Sequence, residues 1–518
     1  MNFTDYAFET STFLDKDVIV GNAEQISYPA LYREVCRIAA HLNRIAGEDQ
    51  KILLIGENSV FFVAAYLGII KSGNVCVPVN PAIGAEALAH IVGQCGAKIG
   101  FIQKRSMEKF SPLFEQVFDE SAPAAFPEPA PTPPATQNPQ LATRNSKLET
   151  QDSRFKTQDS KLAAAFNPSR LAEILFTSGS TALPKGVMLT HGNLIANTES
   201  IIEYLKLTEA DRIEVVLPFY YCFGLSLLHT HLRVGGSLVL NNTFMMLNTV
   251  IEDLQTYQCT GFSGVPSHYQ IILRKSRRFK ETKFPHLRYV TQAGGKLPVP
   301  FIKEFTEAFP EVKFYVMYGQ TEATARLSYL PPEMLPAKIG SIGRGIPGVK
   351  LEVLNKAGQP VKPGEVGELA ASGGNIMAGY FQDPELTART IRNGKLYTGD
   401  LGTVDEDGYI YIVAREKEFI KVGGERISPK EIEEVIVRLP EVVDCSIIGV
   451  PDDLLGEAVK AYIVLNGKNL KENDIIAYCT QHLSSTKIPK YVEFIDKIPV
   501  SATGKKEKAR LLELHSAT

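Results

Sequence analysis

The segment ILLIGENSVFFVAAYLGIIKSGNVCVPVNPAIGAEALAHIVGQCGAKIGFI, residues 52–102, alternates short apolar runs with longer helical patterns. Ile52–Ile55 reads as a strand, and Val60–Ile70 as a buried helix ended by Lys71, Ser72 and Gly73. Val75–Val79, Ala85–Cys95 and Ile99–Ile102 continue as strand, helix and strand. Strands separated by helices of this length favour a parallel sheet with right-handed crossovers. The alternation returns later: Ala172–Phe176, Ile213–Leu217, Ser237–Leu240, Tyr289–Thr291 and Lys313–Met317 are strand-like, with helical segments between them. The expected fold is α/β, a large N-terminal domain of parallel-rich sheets wrapped by helices.

Two stretches break the pattern. Asp119–Pro168 opens with PAAFPEPAPTPPA, a tract suited to an extended linker, and continues with repeats of seven residues marked by Thr136, Thr143, Thr150 and Thr157. Each repeat has one apolar position (Leu141, Leu148, Phe155, Leu162), so no two-position coiled-coil seam forms. The expectation is an exposed, weakly ordered insertion at about 119–168. Near residue 400 the chain changes again: Gly402–Val413 alternates like a hairpin about Glu406-Asp407-Gly408. A helix then starts at Ser428-Pro429, and Cys445–Val450 and Ala461–Leu465 are strands. The expected division is a large domain over 1–414 and a small, mobile α+β domain over 415–518.

Composition argues against several classes. Of 518 residues, 44% are apolar and 22% charged, and 55 basic side chains against 58 acidic ones leave a net charge of −3. No basic excess points to nucleic acid or an anionic membrane. Seven cysteines, none in a Cys-x-x-Cys pair, fit a reducing compartment and argue against a disulfide framework or structural zinc. The first residues carry acids where a signal peptide carries bases, and the apolar stretch at Val60–Ile70 is too short to span a bilayer. A cytoplasmic protein with no nucleic-acid partner and no integral membrane segment is expected.

The strongest chemical signal is Leu175-Phe-Thr-Ser-Gly-Ser-Thr-Ala-Leu-Pro-Lys-Gly-Val187: a strand, a loop of hydroxyls and glycine, Lys185, then a helix near Asn193. Backbone N–H groups and hydroxyls in such a loop can cradle phosphate oxygens while the lysine balances charge. The spacing from Gly179 to Lys185 is not that of a Gly-x4-Gly-Lys-Ser/Thr loop, and a loop of this composition alone also suits a plain linker.

Further motifs follow in order: Tyr318-Gly-Gln-Thr-Glu322, Tyr397-Thr-Gly-Asp400, Arg415-Glu-Lys-Glu-Phe-Ile-Lys-Val-Gly-Gly424 with Ser428-Pro-Lys-Glu-Ile-Glu433, and Pro499-Val-Ser-Ala-Thr-Gly-Lys505. Together with Thr177–Lys185 they resemble the adenylate-forming superfamily of acyl-CoA synthetases, peptide-synthetase adenylation domains and luciferases. The resemblance covers nearly the whole chain outside 119–168.

That resemblance implies ATP and Mg²⁺ as cofactors and a pantetheine thiol as co-substrate. Thr177, Ser178, Gly179, Ser180, Thr181 and Lys185 would hold the β- and γ-phosphates. Thr321 would contact the α-phosphate and Glu322 would ligate Mg²⁺, a hard-oxygen role suited to that ion. Tyr318 would stack on adenine beside Gly294, Gly295 and Gly319, and Asp400 would take the ribose hydroxyls with Arg415 nearby. Lys505 would be the catalytic lysine of adenylation, next to Lys506. Lys417 would be the hinge, and Gly423 and Gly424 would line a pantetheine channel. Three departures stand out: Ala182-Leu183 where the family usually has Gly after Ser-Thr, Ala414 where Gly usually precedes the arginine, and Lys506-Glu507 in place of an apolar residue.

Pro218-Phe-Tyr-Tyr-Cys-Phe-Gly-Leu-Ser226 aligns with the segment lining the acyl pocket. Amino-acid-activating relatives place an aspartate there; this chain has none, and many acyl-CoA synthetases have His where it has Tyr221. Tyr221, Cys222, Phe223 and Gly224 therefore suit an uncharged aliphatic or aromatic acid. The reading is an ATP-dependent acid–thiol ligase that makes acyl-AMP and transfers the acyl group to CoA. Two alternatives stay open: a stand-alone adenylating ligase loading an amino acid, aryl acid or fatty acid onto a carrier protein, and an adenylate-binding protein without turnover.

Overall fold

The computed structural model describes residues 2–127, 167–177, 184–415, 418–467, 470–501 and 506–516. Four sheets organise them. The first runs, edge to edge, through Arg344–Gly345, Ser328–Leu330, Lys313–Tyr318, Tyr289–Gln292, Gly261–Gly264, Arg212–Val215, Ser237–Leu240, Asp17–Ile19 and Ile26–Ser27. Its six strands from Lys313–Tyr318 to Asp17–Ile19 are parallel, and antiparallel strands close both edges. The second carries the parallel set Leu171–Thr177, Val75–Val79, Lys51–Ile55, Ile99–Ile102 and Gln116–Phe118, with Lys185–Thr190 and Gly379–Tyr380 antiparallel on one side. The parallel alternation expected from residues 52–102 is therefore present in both.

A shared apolar core joins these two sheets. Helix Val60–Lys71 is buried on all sides, as its unbroken run FFVAAYLGII requires, and Ser59 caps it by accepting from the Phe62 N–H at 3.1 Å. Helices Tyr28–Ile45, His191–Leu205 and Cys222–Val234 turn their apolar faces into the same cluster. Each fully buried Leu, Ile or Phe there contributes about 1.5–3 kcal/mol relative to exposure.

The third sheet is antiparallel: Val349–Leu354, Gly367–Gly373, Lys395–Val404 and Ile391–Arg392 in order, with Ile410–Arg415 beside Lys395–Val404. Its last strand ends at Arg415, and the fourth sheet starts at Ile420. That fourth sheet, Glu425–Ile427, Ile420–Val422, Gly456–Leu465, Val442–Asp452 and Tyr491–Phe494, with helices Pro429–Ile436, Glu472–His482 and Lys508–Ser516, forms the small α+β unit.

The small unit docks on the large one through polar and apolar contacts. Gln270 Nε2 donates to Asp444 Oδ1 at 3.0 Å, Arg274 Nη1 to the Pro440 carbonyl at 2.9 Å, and the Val299 N–H to Glu434 Oε1 at 2.7 Å.

One expectation changes at the insertion. Residues 128–166, with the repeats, lie outside the described residues, but its first part is packed. Phe126 is 7% exposed, stacks on His41 at 3.9 Å between ring centres, and meets Phe118 edge-on. An aromatic ring with two ring partners is held, so the chain up to Phe126 belongs to the fold.

Candidate active site

Ligands of open α/β sheets bind beyond the carboxyl ends of the strands. Here a cavity of about 450 Å³ lies past the ends of Tyr289–Gln292 and Lys313–Tyr318, closed by the third sheet and the small unit. Gln292, Gly294, Gly295, Tyr318 and Thr321 line it from the first sheet, Asp400 and Arg415 from the third, and Lys430 and Lys506 from the small unit.

The geometry is tightest around Asp400, which is 5% exposed. Tyr318 Oη donates to its Oδ2 at 2.7 Å and Arg415 Nε to its Oδ1 at 3.0 Å. Asp400 and Arg415 are cross-strand partners in the hairpin Lys395–Val404/Ile410–Arg415, so the sheet register sets their pairing. Burial, and then the Asp400 charge, pushes the Tyr318 hydroxyl well above its ordinary value, so it stays a donor. Gly294 turns at φ +86°, a conformation that suits glycine, and its backbone borders the cavity.

In the segment expected to hold phosphate, Thr177 and Lys185 are register partners across the antiparallel strands Leu171–Thr177 and Lys185–Thr190. They form the neck of a hairpin. Ser178, Gly179, Ser180 and Thr181 lie outside the described residues. The sequence predicts a helix soon after Lys185. The structure inserts a strand first, because Val187 and Leu189 alternate into the core, and then the helix His191–Leu205, capped reciprocally by Thr190 and Asn193.

Thr321 and Glu322 share the short 3₁₀ turn Thr321–Ala323. Tyr380 Oη donates to Glu322 Oε1 at 2.8 Å, leaving the second carboxylate oxygen for a ligand. Among the described residues no group of three His, Cys, Asp or Glu side chains could hold a metal ion. A single carboxylate still fits Mg²⁺, which is commonly held by one or two carboxylates plus substrate phosphates.

The segment expected to hold the acyl group, Tyr221–Gly224, reaches the cavity through Tyr221. Tyr221 is the N-cap residue of helix Cys222–Val234, lines the cavity, and burial pushes its hydroxyl up to about 12. Cys222 Sγ lies 3.5 Å from Thr321 Oγ1. A Cβ on Gly224 would run into the Pro218 carbonyl, so glycine lets the loop before the helix fold back onto it. Phe223 carries the Arg326 guanidinium 4.0 Å above its ring.

Of the small-unit residues, Lys505 and Lys417 lie outside the described residues. Lys506 is held by Asp444 Oδ1 at 2.8 Å and by the Cys445 carbonyl. Burial works against its charge, but Asp444 and Glu433 together outweigh this and raise its pKa. Gly423 and Gly424 form an exposed turn at φ +57° and +88° and do not border the cavity.

The profile of a family described as AMP-binding enzyme matches residues 8–381, and that of the AMP-binding enzyme C-terminal domain matches residues 431–505. The chain belongs to the AMP-binding enzyme family. Feruloyl-CoA synthase of an Amycolatopsis species is 31% identical over 489 residues, 93% of this chain and 92% of that one. Oxalate–CoA ligase of Arabidopsis thaliana is 36% identical over 355 residues, 67% of this chain and 68% of that one. The crystal structure of ATP-bound MatB from Rhodopseudomonas palustris aligns with a TM-score of 0.84 at 27% identity, covering 99% of each chain. This AMP-binding enzyme is an AMP-forming acid–thiol ligase.

Sequence reasoning missed several residues at the site of this AMP-binding enzyme. Lys430, Glu418 and Glu433 border the cavity from the small unit. Burial lowers the Lys430 pKa, with Glu418 opposing that shift. Helical spacing from Pro429 would have put Lys430, Glu433 and Glu434 on one face. Arg326, four residues past Glu322, carries no local signal at all. No helix among the described residues is long and apolar enough to cross a membrane.

Proposed function

We propose that the thiol acceptor is CoA and that the cavity runs both half-reactions with the residues named above. A substrate carboxylate oxygen attacks the α-phosphorus of ATP, the bond to the bridging oxygen breaks, and pyrophosphate leaves. The thiol sulfur then attacks the acyl carbonyl, its proton is lost, and AMP departs. In the first step two anions must meet, so positioning and charge compensation dominate.

Asp400 accepts the ribose hydroxyls, Tyr318 and the Gly294-Gly295 backbone border adenine, and the hairpin from Thr177 to Lys185 holds the outer phosphates. Thr321 donates to the α-phosphate. Glu322 would hold Mg²⁺, which would supply further charge compensation there. Lys505 bridges the carboxylate and the α-phosphate from the small domain, which turns about Lys417 between the half-reactions and brings Gly423 and Gly424 to the pantetheine arm. The engagement of Lys506 by Asp444 supports Lys505 as the reaching lysine.

The observation that carries this reading is a single cavity bordered by both Asp400–Arg415 and the segment around Lys506. The Tyr221–Gly224 wall has no acid, so an α-amino substrate would leave its ammonium without a partner there. The names of the relatives divide on the acid, oxalate for one and ferulate for another. The test is Lys505→Ala, measured in both half-reactions. Acid-dependent pyrophosphate–ATP exchange should collapse, while thioester formation from pre-made acyl-AMP continues. Equal loss of both would refute the assignment, and faster transfer to a phosphopantetheinylated carrier protein than to CoA would refute the acceptor.

A further inference from the structure

Arg326 is 2% exposed, and among the described residues no carboxylate pairs with it. Its acceptors are neutral groups: Nε meets the Met317 thioether at 3.4 Å, Nη1 the Ala325 carbonyl at 3.2 Å and Nη2 Ser226 Oγ at 3.5 Å, and the Tyr204 hydroxyl oxygen also accepts from it. A guanidinium remains protonated in a protein, and a buried charge without a counter-ion is strongly disfavoured. Stacking on Phe223 attracts the cation but does not neutralise it. Burial indeed acts against its charged form, with Tyr204 and Cys222 the groups that oppose this.

Its position is the informative part. Phe223 and Cys222 belong to the acyl wall, and Cys222 touches Thr321. Met317 borders the main cavity and also a small void of about 10 Å³, which Arg326 shares with Tyr204, Ser226 and Thr230. That volume holds about one water molecule. Tyr204 Oη spends its proton on the Met317 sulfur at 3.0 Å, another weak acceptor. The Arg326 guanidinium thus lies one side chain, Met317, behind the wall of the main cavity.

We infer that Arg326 receives a second carboxylate at the far end of the substrate, so that the acid is a short dicarboxylic acid. The planar guanidinium fork matches a carboxylate in two parallel hydrogen bonds, and one negative charge balances the one buried positive charge. Met317, unbranched and held by weak contacts, moves aside to admit the end of the acid. Arg326 is then a specificity-determining residue. This inference rests on the ligase reading above and replaces the uncharged acid expected from residues 218–226 with one that carries a second negative charge.

The test is acid-dependent pyrophosphate–ATP exchange by the full chain, with kcat and KM measured for each acid. Oxalate, malonate, succinate and glutarate are compared with acetate, propanoate, butanoate, pentanoate, hexadecanoate and 4-hydroxycinnamate. The wild type should favour a diacid over its monoacid counterpart by at least about tenfold in kcat/KM. Arg326→Met should reduce that ratio by at least about tenfold, mainly through KM, and Arg326→Lys should recover part of it. Preference for any monoacid would overturn the inference and leave the ligase reading standing. An unchanged ratio in Arg326→Met, or loss of both classes together with a lowered Tm in both variants, would assign Arg326 a packing role and overturn it too. No exchange with any acid in the wild type would instead refute the ligase reading.

Discussion

Gln270 donates to Asp444 across the seam between the large and small units at 3.0 Å, and the same Asp444 oxygen holds Lys506 at 2.8 Å. One carboxylate oxygen therefore ties the docking of the small unit to the segment that leads back to Lys505. Both side chains are buried, at 1% and 8% exposure, so water does not substitute freely for either.

Gln270→Ala should weaken this docked arrangement specifically. A hydrogen bond to a charged group contributes about 1.5–3 kcal/mol, so acyl-AMP formation should fall about tenfold or more. Thioester formation from supplied acyl-AMP should fall much less, because that step uses a different docking in the mechanism proposed above. Stopped-flow measurement of the two half-reactions decides it; a parallel decline would count against the seam as the cause.

Tyr318→Phe keeps the ring and removes the proton donated to Asp400. The loss of about 1–2 kcal/mol predicts a rise in KM for ATP of roughly fivefold to thirtyfold. The acid's KM should change less. An unaltered KM for ATP would show that Asp400 is oriented by Arg415 alone.

Acid should destabilise the fold in a defined window. Burial pushes His229 down to about 3, and His191, His231 and His268 down to about 4, from an ordinary 6.5. Between pH 6.5 and 4 the unfolded chain binds protons that the folded chain refuses, so stability falls as pH falls, by about 1 kcal/mol per unit for each histidine. Glu173 acts with the opposite sign. Burial raises it to about 7 from 4.5, so its contribution is complete below pH 4.5 and is lost as pH rises through 7. Glu173→Gln should accordingly gain Tm relative to wild type as pH increases from 4.5 to 7, read by scanning calorimetry. A difference that stays flat with pH would show that Glu173 does not titrate there.

Replacing residues 128–166 with a short Gly/Ser linker should leave Tm and activity nearly unchanged, since the repeats have no two-sided apolar pattern to bury. Extending the deletion to Phe126 should cost about 3–5 kcal/mol through the lost aromatic contacts. A large fall in Tm from the shorter deletion would mean that the repeats pack.

The parallel sheets were legible because their strands are uninterrupted apolar runs; Val75–Val79 is buried at every residue. The antiparallel third sheet was largely hidden. Lys395–Val404 mixes buried and exposed positions with a register shift, which blurs the period of two. The Lys185–Thr190 strand was lost for a related reason, since its short alternation sits between a glycine-rich loop and a helix. Asp400 and Arg415 were each recognised by motif, yet their contact depended on pairing across the hairpin. Arg326 could not be found by inspection, because nothing in a chain marks which arginine will be buried without an acid.

Asp400 and Arg415 face each other as the chain leaves the third sheet for the small unit, so in the mechanism proposed above binding and motion meet at one carboxylate. A nucleotide that occupies Asp400 shares its oxygens with the residue that ends the last strand before that connection. By thermodynamic reciprocity, whatever nucleotide occupancy does to the freedom of the connection, restraint of the connection must do to nucleotide affinity, by the same factor. A cross-link pinning the small unit should therefore be measurable far from the seam, as a changed dissociation constant for ATP.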